Sequence, residues 1–381
     1  MKIAKHQKKK PQKMPLDFIL LASVALLFGL GLVTLYSGSY NYAEETWKEG
    51  LHFISRQLGF GIGGALVFFL AIFLNLERLR HKTLVSLALL ITLALNIIPA
   101  LWGREINGAR RWFPGAFSFQ PSEIAKIVLP FYLAHMLDRK QEALDNFSRT
   151  VLPLLIVSAL FSCIILLQNS FAIAVFLAVN AWLVLFMAGV KKRYLISVFV
   201  FAIIIALAMV VMRPHRIARL YYYLHPGEGP LTGNYQVQQS INAVASGGFW
   251  GKGLGQGDMS GVLEVQSDFI FSSFAKEFGF LGVLMFVCLS ALFAVQGYLV
   301  AYRADTVFRR LLAFSYVTII TMQTFINLAV IVRVVPTTGI PLPFFSAGGS
   351  SLITSLAICG MIVNVSRFSD APLELRYSMQ R

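Results

Sequence analysis

Asp268 stands where a polar stretch gives way to an apolar one, in Gln266-Ser267-Asp268-Phe269-Ile270-Phe271. A carboxylate at the lip of a membrane helix is costly unless it has a task or a partner. Position alone leaves two readings: a general base reaching a polar substrate, or a helix N-terminal carboxylate that complements the helix dipole. Glu277 lies further along the same apolar run. At 1.5 Å per residue it falls about 13 Å deeper, too deep for the primary base. Glu264 is nearer but belongs to the preceding loop.

A second constellation is GREINGARRWFPGAFSFQPSEIAKI, 103–127. Arg110 and Arg111 are adjacent, and paired guanidinium groups grip phosphate bidentately. Trp112 follows, then a Pro/Gly turn. Pro121 suits the first turn of a helix, where its missing N–H costs nothing. Glu123 and Lys126 are three apart and share a helix face. Inside a membrane segment such a pair either faces a polar cavity or is a plain packing salt bridge.

Two further stretches are rich in breakers. In VVPTTGIPLPFFSAGGSSL, 334–352, the prolines and Gly339 forbid a continuous helix. Broken backbone at membrane depth is tolerated against a cavity or inside protein. Ser346, Gly348, Gly349, Ser350 and Ser351 either open the next helix with N–H groups toward an anion, or are small residues for helix packing. GGFWGKGLGQG, 247–257, is not a Walker A loop, since no Ser or Thr follows Lys252. Its expected role is backbone packing against the membrane surface.

The elements that position these residues are apolar. Of 381 residues 57% are hydrophobic and 13% charged, and mean hydropathy is +0.69. A soluble domain carries about 25% charged residues, so the fold class is all-α, a polytopic membrane protein. Ten apolar segments are expected near 17–38, 53–74, 83–102, 122–137, 150–168, 170–189, 194–212, 269–300, 311–335 and 347–366. The fourth is the weakest, because it carries Glu123, Lys126 and His135. The chain divides into a basic tail (1–16), a ten-helix membrane domain (17–367) with a large outer loop (213–268) between helices seven and eight, and a C-terminal tail (368–381).

The net charge is +15, yet no nucleic-acid module is present, and membrane orientation explains the balance. Basic residues recur at alternate loops: Lys2 to Lys13; Arg78, Arg80 and Lys82; Arg139, Lys140 and Arg149; Lys191 to Arg193; Arg303, Arg309 and Arg310; and Arg367, Arg376 and Arg381. That alternation places both termini in the cytoplasm. Arg104, Arg110 and Arg111, on a short outer loop, run against the rule and point to an anionic ligand at the outer face. The three cysteines, Cys163, Cys288 and Cys359, lie in apolar runs and imply neither disulfides nor a zinc site.

Taken together the blocks GARRW…QPSE-x-AK (108–126), YQ-x-x-QS…GG-x-x-G-x-GLG (235–255), SDFIF…E-F-G-x-x-G (267–282) and PTTGIPLPF-x-S-x-GGSSL (336–352) resemble the SEDS family, the FtsW/RodA/SpoVE membrane glycosyltransferases of bacterial peptidoglycan. The resemblance covers nearly the whole membrane core. It implies ten spans in the bacterial cytoplasmic membrane, and polymerisation of lipid II into glycan strands at the outer face. It makes Asp268 the catalytic residue, with substrate contacts from Arg110, Arg111, Trp112, Glu123, Lys126, Gln239, Glu277 and Ser346. It implies a class B penicillin-binding protein as partner, packed on 269–300 and 311–335, among other divisome or elongasome proteins. Basic residues, with or without a divalent cation (Mg or Mn), are expected to stabilise the departing lipid pyrophosphate.

The chain departs from the family pattern at Gln168-Asn169-Ser170-Phe171, Ala347, Lys276 and Arg333, the last standing where a glycine is common. The ending NVSRFS (364–369) is closer to the division and sporulation members than to RodA. Other readings are a flippase for lipid-linked precursors and a scaffold without chemistry. A flippase needs polar residues through the full membrane depth, whereas these cluster toward the outer half.

Overall fold

The computed structural model describes residues 15–106, 108–113, 119–211, 217–218, 221, 223, 231–257 and 266–368. Most of the two expected tails lies outside these residues. So do 213–216, 219–220, 222, 224–230 and 258–265 of the expected 213–268 loop, with Arg213, Arg216, Arg219 and Glu264.

The regular elements of the described chain are helices apart from one short hairpin. The helices are α1 (Phe18–Trp47), α2 (His52–Phe73), α3 (Leu76–Leu79) and α4 (Lys82–Trp102). Then come the strands β1 (Arg104–Ile106) and β2 (Ala109–Trp112), followed by α5 (Pro121–Arg139), α6 (Leu152–Leu167), α7 (Phe171–Met187), α8 (Lys192–Val211) and α9 (Leu231–Ser246). α10 (Ile270–Arg303), α11 (Val307–Ile331) and α12 (Gly349–Ser366) complete the bundle. Eight helical stretches are long and apolar enough to cross a membrane, so the chain is an all-α, multi-pass membrane protein. α7 is apolar but shorter. α5 is not among the eight: its 19 residues include Glu123, Lys126, His135, Asp138 and Arg139. The weakness expected of the fourth segment is real, and α5 is nonetheless a helix with most of its first turns buried.

Local chemistry sets the ends. Asp17 caps α1, its Oδ1 accepting from the N–H groups of Ile19 and Leu20 at 3.1 Å. α1 runs past its expected end near 38 to Trp47, where Lys48 takes a left-handed conformation at φ 59°. α11 begins earlier than the expected 311, because Thr306 caps it through Arg309 N–H. It ends before the expected 335, at Ile331, two residues ahead of Arg333 with its φ of 58°.

α12 is the centre, 89% buried, and α11 follows at 61%, while α8 at 6% lies on the periphery. α12 packs chiefly on α2, α10 on α11 and α1, and α5 on α4, α11 and α7. Asn364 on α12 ties this core by donating to the carbonyls of Ala71, Ile72 and Leu74 at the end of α2.

Candidate functional site

Asp268 does not cap α10. The helix begins at Ile270, and its capping position is Phe269, which makes no side-chain cap bond. Asp268 sits one residue earlier in a turn, half-buried. This corrects the expectation that Asp268 opens the helix, by one residue.

The backbone around Asp268 is fixed from outside its own helix. Ala347 N–H donates to the Gln266 carbonyl at 2.7 Å. The Ser346 hydroxyl donates to the Ser267 carbonyl and accepts from Leu342 N–H at 2.9 Å. Asn327 Nδ2, on α11, donates to the Asp268 carbonyl and to the Ile340 carbonyl, each at 3.2 Å. Three successive carbonyls are thus held by α11 and by the proline-rich segment that follows it. Each hydrogen bond contributes only about 0.5–1.5 kcal/mol net, but together they fix the backbone that carries Asp268.

Arg111 reaches the same segment. A Cβ on Gly339 would lie 3.3 Å from Arg111 Nη1 and 3.6 Å from Nη2, so the guanidinium covers that glycine. Gly339 precedes Ile340, whose carbonyl shares Asn327 with Asp268. Carboxylate and guanidinium are therefore carried on one connected frame. Among the described residues Arg111 has no carboxylate within salt-bridge distance, and its buried Nε has no hydrogen-bond partner.

The hairpin that carries Arg111 is tied down by the turn between α6 and α7. Arg110 N–H donates to the Gln168 carbonyl at 3.0 Å. The Asn169 amide, at φ 59°, donates to the Gly108 carbonyl at 3.1 Å. Gln168 is fully buried and donates to the Asn96 carbonyl at 2.7 Å. The departing Gln168–Phe171 sequence therefore has a definite task, supporting the arginine loop.

The other expected residues have their own surroundings. The Arg110 side chain is half-exposed and pairs with Glu105 at 3.1 Å. Trp112 ends β2, half-buried, opposite Arg104. Lys126 Nζ contacts Glu123 Oε1 at 2.6 Å, both side chains 2% exposed, with the ammonium 5.8 Å from the Phe176 ring centroid. Gln239 is half-buried on α9, while its neighbour Ser240 bonds the Ser272 hydroxyl of α10. Ser346 acts through its hydroxyl as a strut.

Glu277 is a clamp. Its Oε1 accepts from the Ser37 hydroxyl of α1 and from Gly257 N–H at 3.0 Å. This belongs to a feature that sequence reasoning missed. Gly279 breaks α10 at φ 62°, ψ −161°, a region open essentially to glycine. The break frees two carbonyls and two N–H groups, and the glycine-rich segment takes them. Lys252 and Gly253 N–H donate to the carbonyls of Lys276 and Glu277, each at 3.0 Å. Phe280 and Leu281 N–H donate to those of Gly248 and Phe249 at 2.9 and 3.2 Å. A Cβ at Gly251 would stand 2.0 Å from the Glu277 carbonyl oxygen. The segment thus packs on α10 rather than on the membrane surface, because broken helix backbone in a membrane needs a polar partner. The glycine of E-F-G-x-x-G, inside an otherwise apolar run, was the available signal.

Among the described residues no three His, Cys, Asp or Glu side chains converge as a metal site. Magnesium, however, is typically held by one or two carboxylates together with substrate phosphates, and Asp268 suits that donor set.

The apolar helical bundle defines a multi-pass membrane protein. The family model described as "Cell cycle protein", that of FtsW, RodA and SpoVE, matches residues 18–371, and the chain belongs to this family. Similar curated proteins include the "Probable peptidoglycan glycosyltransferase FtsW" of Geobacter metallireducens, 36% identical over 92% of this chain and 94% of that one. Another is the "Stage V sporulation protein E" of Bacillus subtilis, 35% identical over 93% and 97%. Among solved structures, a chain from work described as "Structural coordination of polymerization and crosslinking by a peptidoglycan synthase complex" aligns with TM-score 0.77 and 30% identity, over 93% of this chain and 98% of that one. The rod shape determining protein RodA of Thermus thermophilus aligns at 0.69 and 27%, over 94% and 99%.

Proposed function

We propose that this protein is a peptidoglycan glycosyltransferase that polymerises lipid II at the outer face of the bacterial cytoplasmic membrane. The observation that carries the mechanism is the shared frame: Asn327 and the 336–348 segment hold Asp268 beside the residues that Arg111 covers. Asp268 acts as general base on the acceptor sugar 4-hydroxyl. As that oxygen bonds to the donor's anomeric carbon, the bond to the pyrophosphate breaks, and the hydroxyl proton passes to Asp268. Arg111 stabilises the negative charge of the departing lipid pyrophosphate. A divalent cation (Mg or Mn), held by Asp268 and the phosphates, would supply further charge neutralisation. An apolar groove of about 280 Å³, lined among others by Leu27, Phe286, Thr321, Pro343 and Phe344, leads away from the same segment and suits an isoprenoid tail.

A flippase is not favoured. The Geobacter relatives carry glycosyltransferase names, and the buried Lys126 charge is closed onto Glu123 rather than lining a path. Ten spans are supported by α5 and α7 standing beside the eight apolar stretches. Cytoplasmic termini are supported by the alternation of basic residues; reporter fusions after Lys192 and after Gly257 should report opposite sides, and the same side for both would overturn that topology. We assign the chain to cell division, with elongation as the second reading, because it is 36% identical to the FtsW relative of Geobacter metallireducens and 27% identical to Thermus thermophilus RodA. A class B penicillin-binding protein is the proposed crosslinking partner, seated on α10 and α11, alongside other divisome proteins. The decisive experiment incubates purified protein with purified lipid II, with and without that partner. Glycan strands are expected; their absence under both conditions would overturn the assignment.

A further inference from the structure

At the opposite end of the bundle from Asp268 lies an open cavity of about 610 Å³ lined by Glu77, Arg80, His81, Lys82, Thr83, His135 and Arg139. It forms between α3, the start of α4 and the end of α5. The carboxylates nearby are already engaged. Glu77 pairs with Arg80 at 2.9 Å and with Arg309 at 3.3 Å. Asp138 pairs with Arg80, and Asp305 with Arg309. What remains toward the cavity is positive: among the described residues neither Lys82 nor Arg139 has a carboxylate within salt-bridge distance.

His135 adds an independent sign. It is 3% exposed, it lines the cavity, and neither ring nitrogen has a hydrogen-bond partner among the described residues. Buried polar groups are normally satisfied, so an imidazole left open on a basic cavity has the chemistry of a ligand contact. Arg80 Nε is buried and unpartnered in the same place.

We propose that this cavity is a phosphate-binding site, filled by the phosphodiester headgroup of an anionic phospholipid or by free phosphate, and distinct from the site at Asp268. Basic pockets between membrane helices recognise anionic headgroups through charge-assisted hydrogen bonds. Lys82 and Arg139 supply the charge, and His135 and Arg80 the directed donors. An occupant would join α4, α5 and α3, of which α5 runs from here toward the Arg111 hairpin.

The test uses the full-length protein in phosphatidylcholine nanodiscs, titrated with fluorescent phosphatidylglycerol and, separately, with inorganic phosphate as competitor. Saturable binding is expected. Lys82→Gln/Arg139→Gln should weaken it about tenfold or more, the scale of a lost charged hydrogen bond. His135→Phe should weaken it several-fold, by removing the imidazole nitrogens from the cavity. Arg310→Gln, an exposed cation on the same side, should leave it unchanged. Lipid bound without competition by phosphate identifies the headgroup as the occupant; full displacement by phosphate identifies the free anion. No saturable binding of either probe, unaltered affinity in both cavity variants, or an equal loss in Arg310→Gln would overturn the proposal.

Discussion

Lys126 and Arg111 make an instructive pair. Both are cations near the same end of the bundle, one on α5 and one on the hairpin that precedes it. Lys126 is almost fully buried and closed onto Glu123 at 2.6 Å. Arg111 is half-buried, covers Gly339, and has no carboxylate of its own among the described residues. A charge neutralised inside the protein holds helices in register but offers an anionic substrate little. A charge that the fold brings to the rim and leaves unneutralised is available to a pyrophosphate. The same contrast separates the two carboxylates of α10 and its lead-in. Glu277 accepts from Ser37 and Gly257 and holds a loop, whereas the main chain of Asp268 is held by Asn327.

The largest effect that would break this contrast is at Asp268. Asp268→Asn keeps size and hydrogen-bonding capacity and removes the base, so polymerisation of lipid II should fall about 10²–10⁴-fold. The protein should remain folded, because Asn327 grips the main-chain carbonyl rather than the side chain. Full activity of the purified variant would show that Asp268, like Glu277, is structural.

Much of this was legible in the sequence. Apolar runs and basic loops located the long helices, because hydropathy and charge report directly on the membrane. Pro121 at a helix start and the three-residue spacing of Glu123 and Lys126 correctly implied a same-face ion pair. What stayed hidden depends on backbone conformation in three dimensions. The pairing of 248–253 with the break at Gly279 requires knowing that Gly279 turns to positive φ. Arg333 looked like a departure from a common glycine, and its φ of 58° gives the reason glycine is common there. Its guanidinium compensates by donating to the Tyr223 carbonyl at 3.0 Å.

Next in size is the buried pair. Lys126→Ala leaves Glu123 charged and alone, and breaking a buried pair typically costs about 3–5 kcal/mol of stability. The expected signature is a lowered melting temperature and poor yield. A double variant, Glu123→Leu/Lys126→Met, should recover most of that stability, since apolar replacements of buried pairs are often neutral. If the double variant is stable but inactive, Lys126 belongs with Arg111 among the substrate contacts, and the contrast drawn above fails. If it is stable and active, the pair is a packing device.

The smallest effects sharpen the comparison between neighbours on one strand. Arg110 is half-exposed and paired with Glu105, and an exposed pair is worth about 0–1 kcal/mol. Arg110→Ala should therefore change polymerisation by no more than a few-fold. Arg111→Ala removes a guanidinium that nothing in the described structure neutralises, and a lost charged hydrogen bond to phosphate costs about 1.5–3 kcal/mol. That is roughly a 10- to 150-fold loss of rate at about 1.4 kcal/mol per decade, with stability unchanged. Arg111→Lys should recover only part of it, because an ammonium cannot reproduce the bidentate fork. Equal losses at both positions would mean that the hairpin binds substrate as a diffuse positive patch. Equal tolerance at both would move the pyrophosphate site away from Gly339 altogether. The expected inequality, with Arg111 the sensitive one, is what the geometry requires if Asn327 and Gly339 place base and cation on one frame.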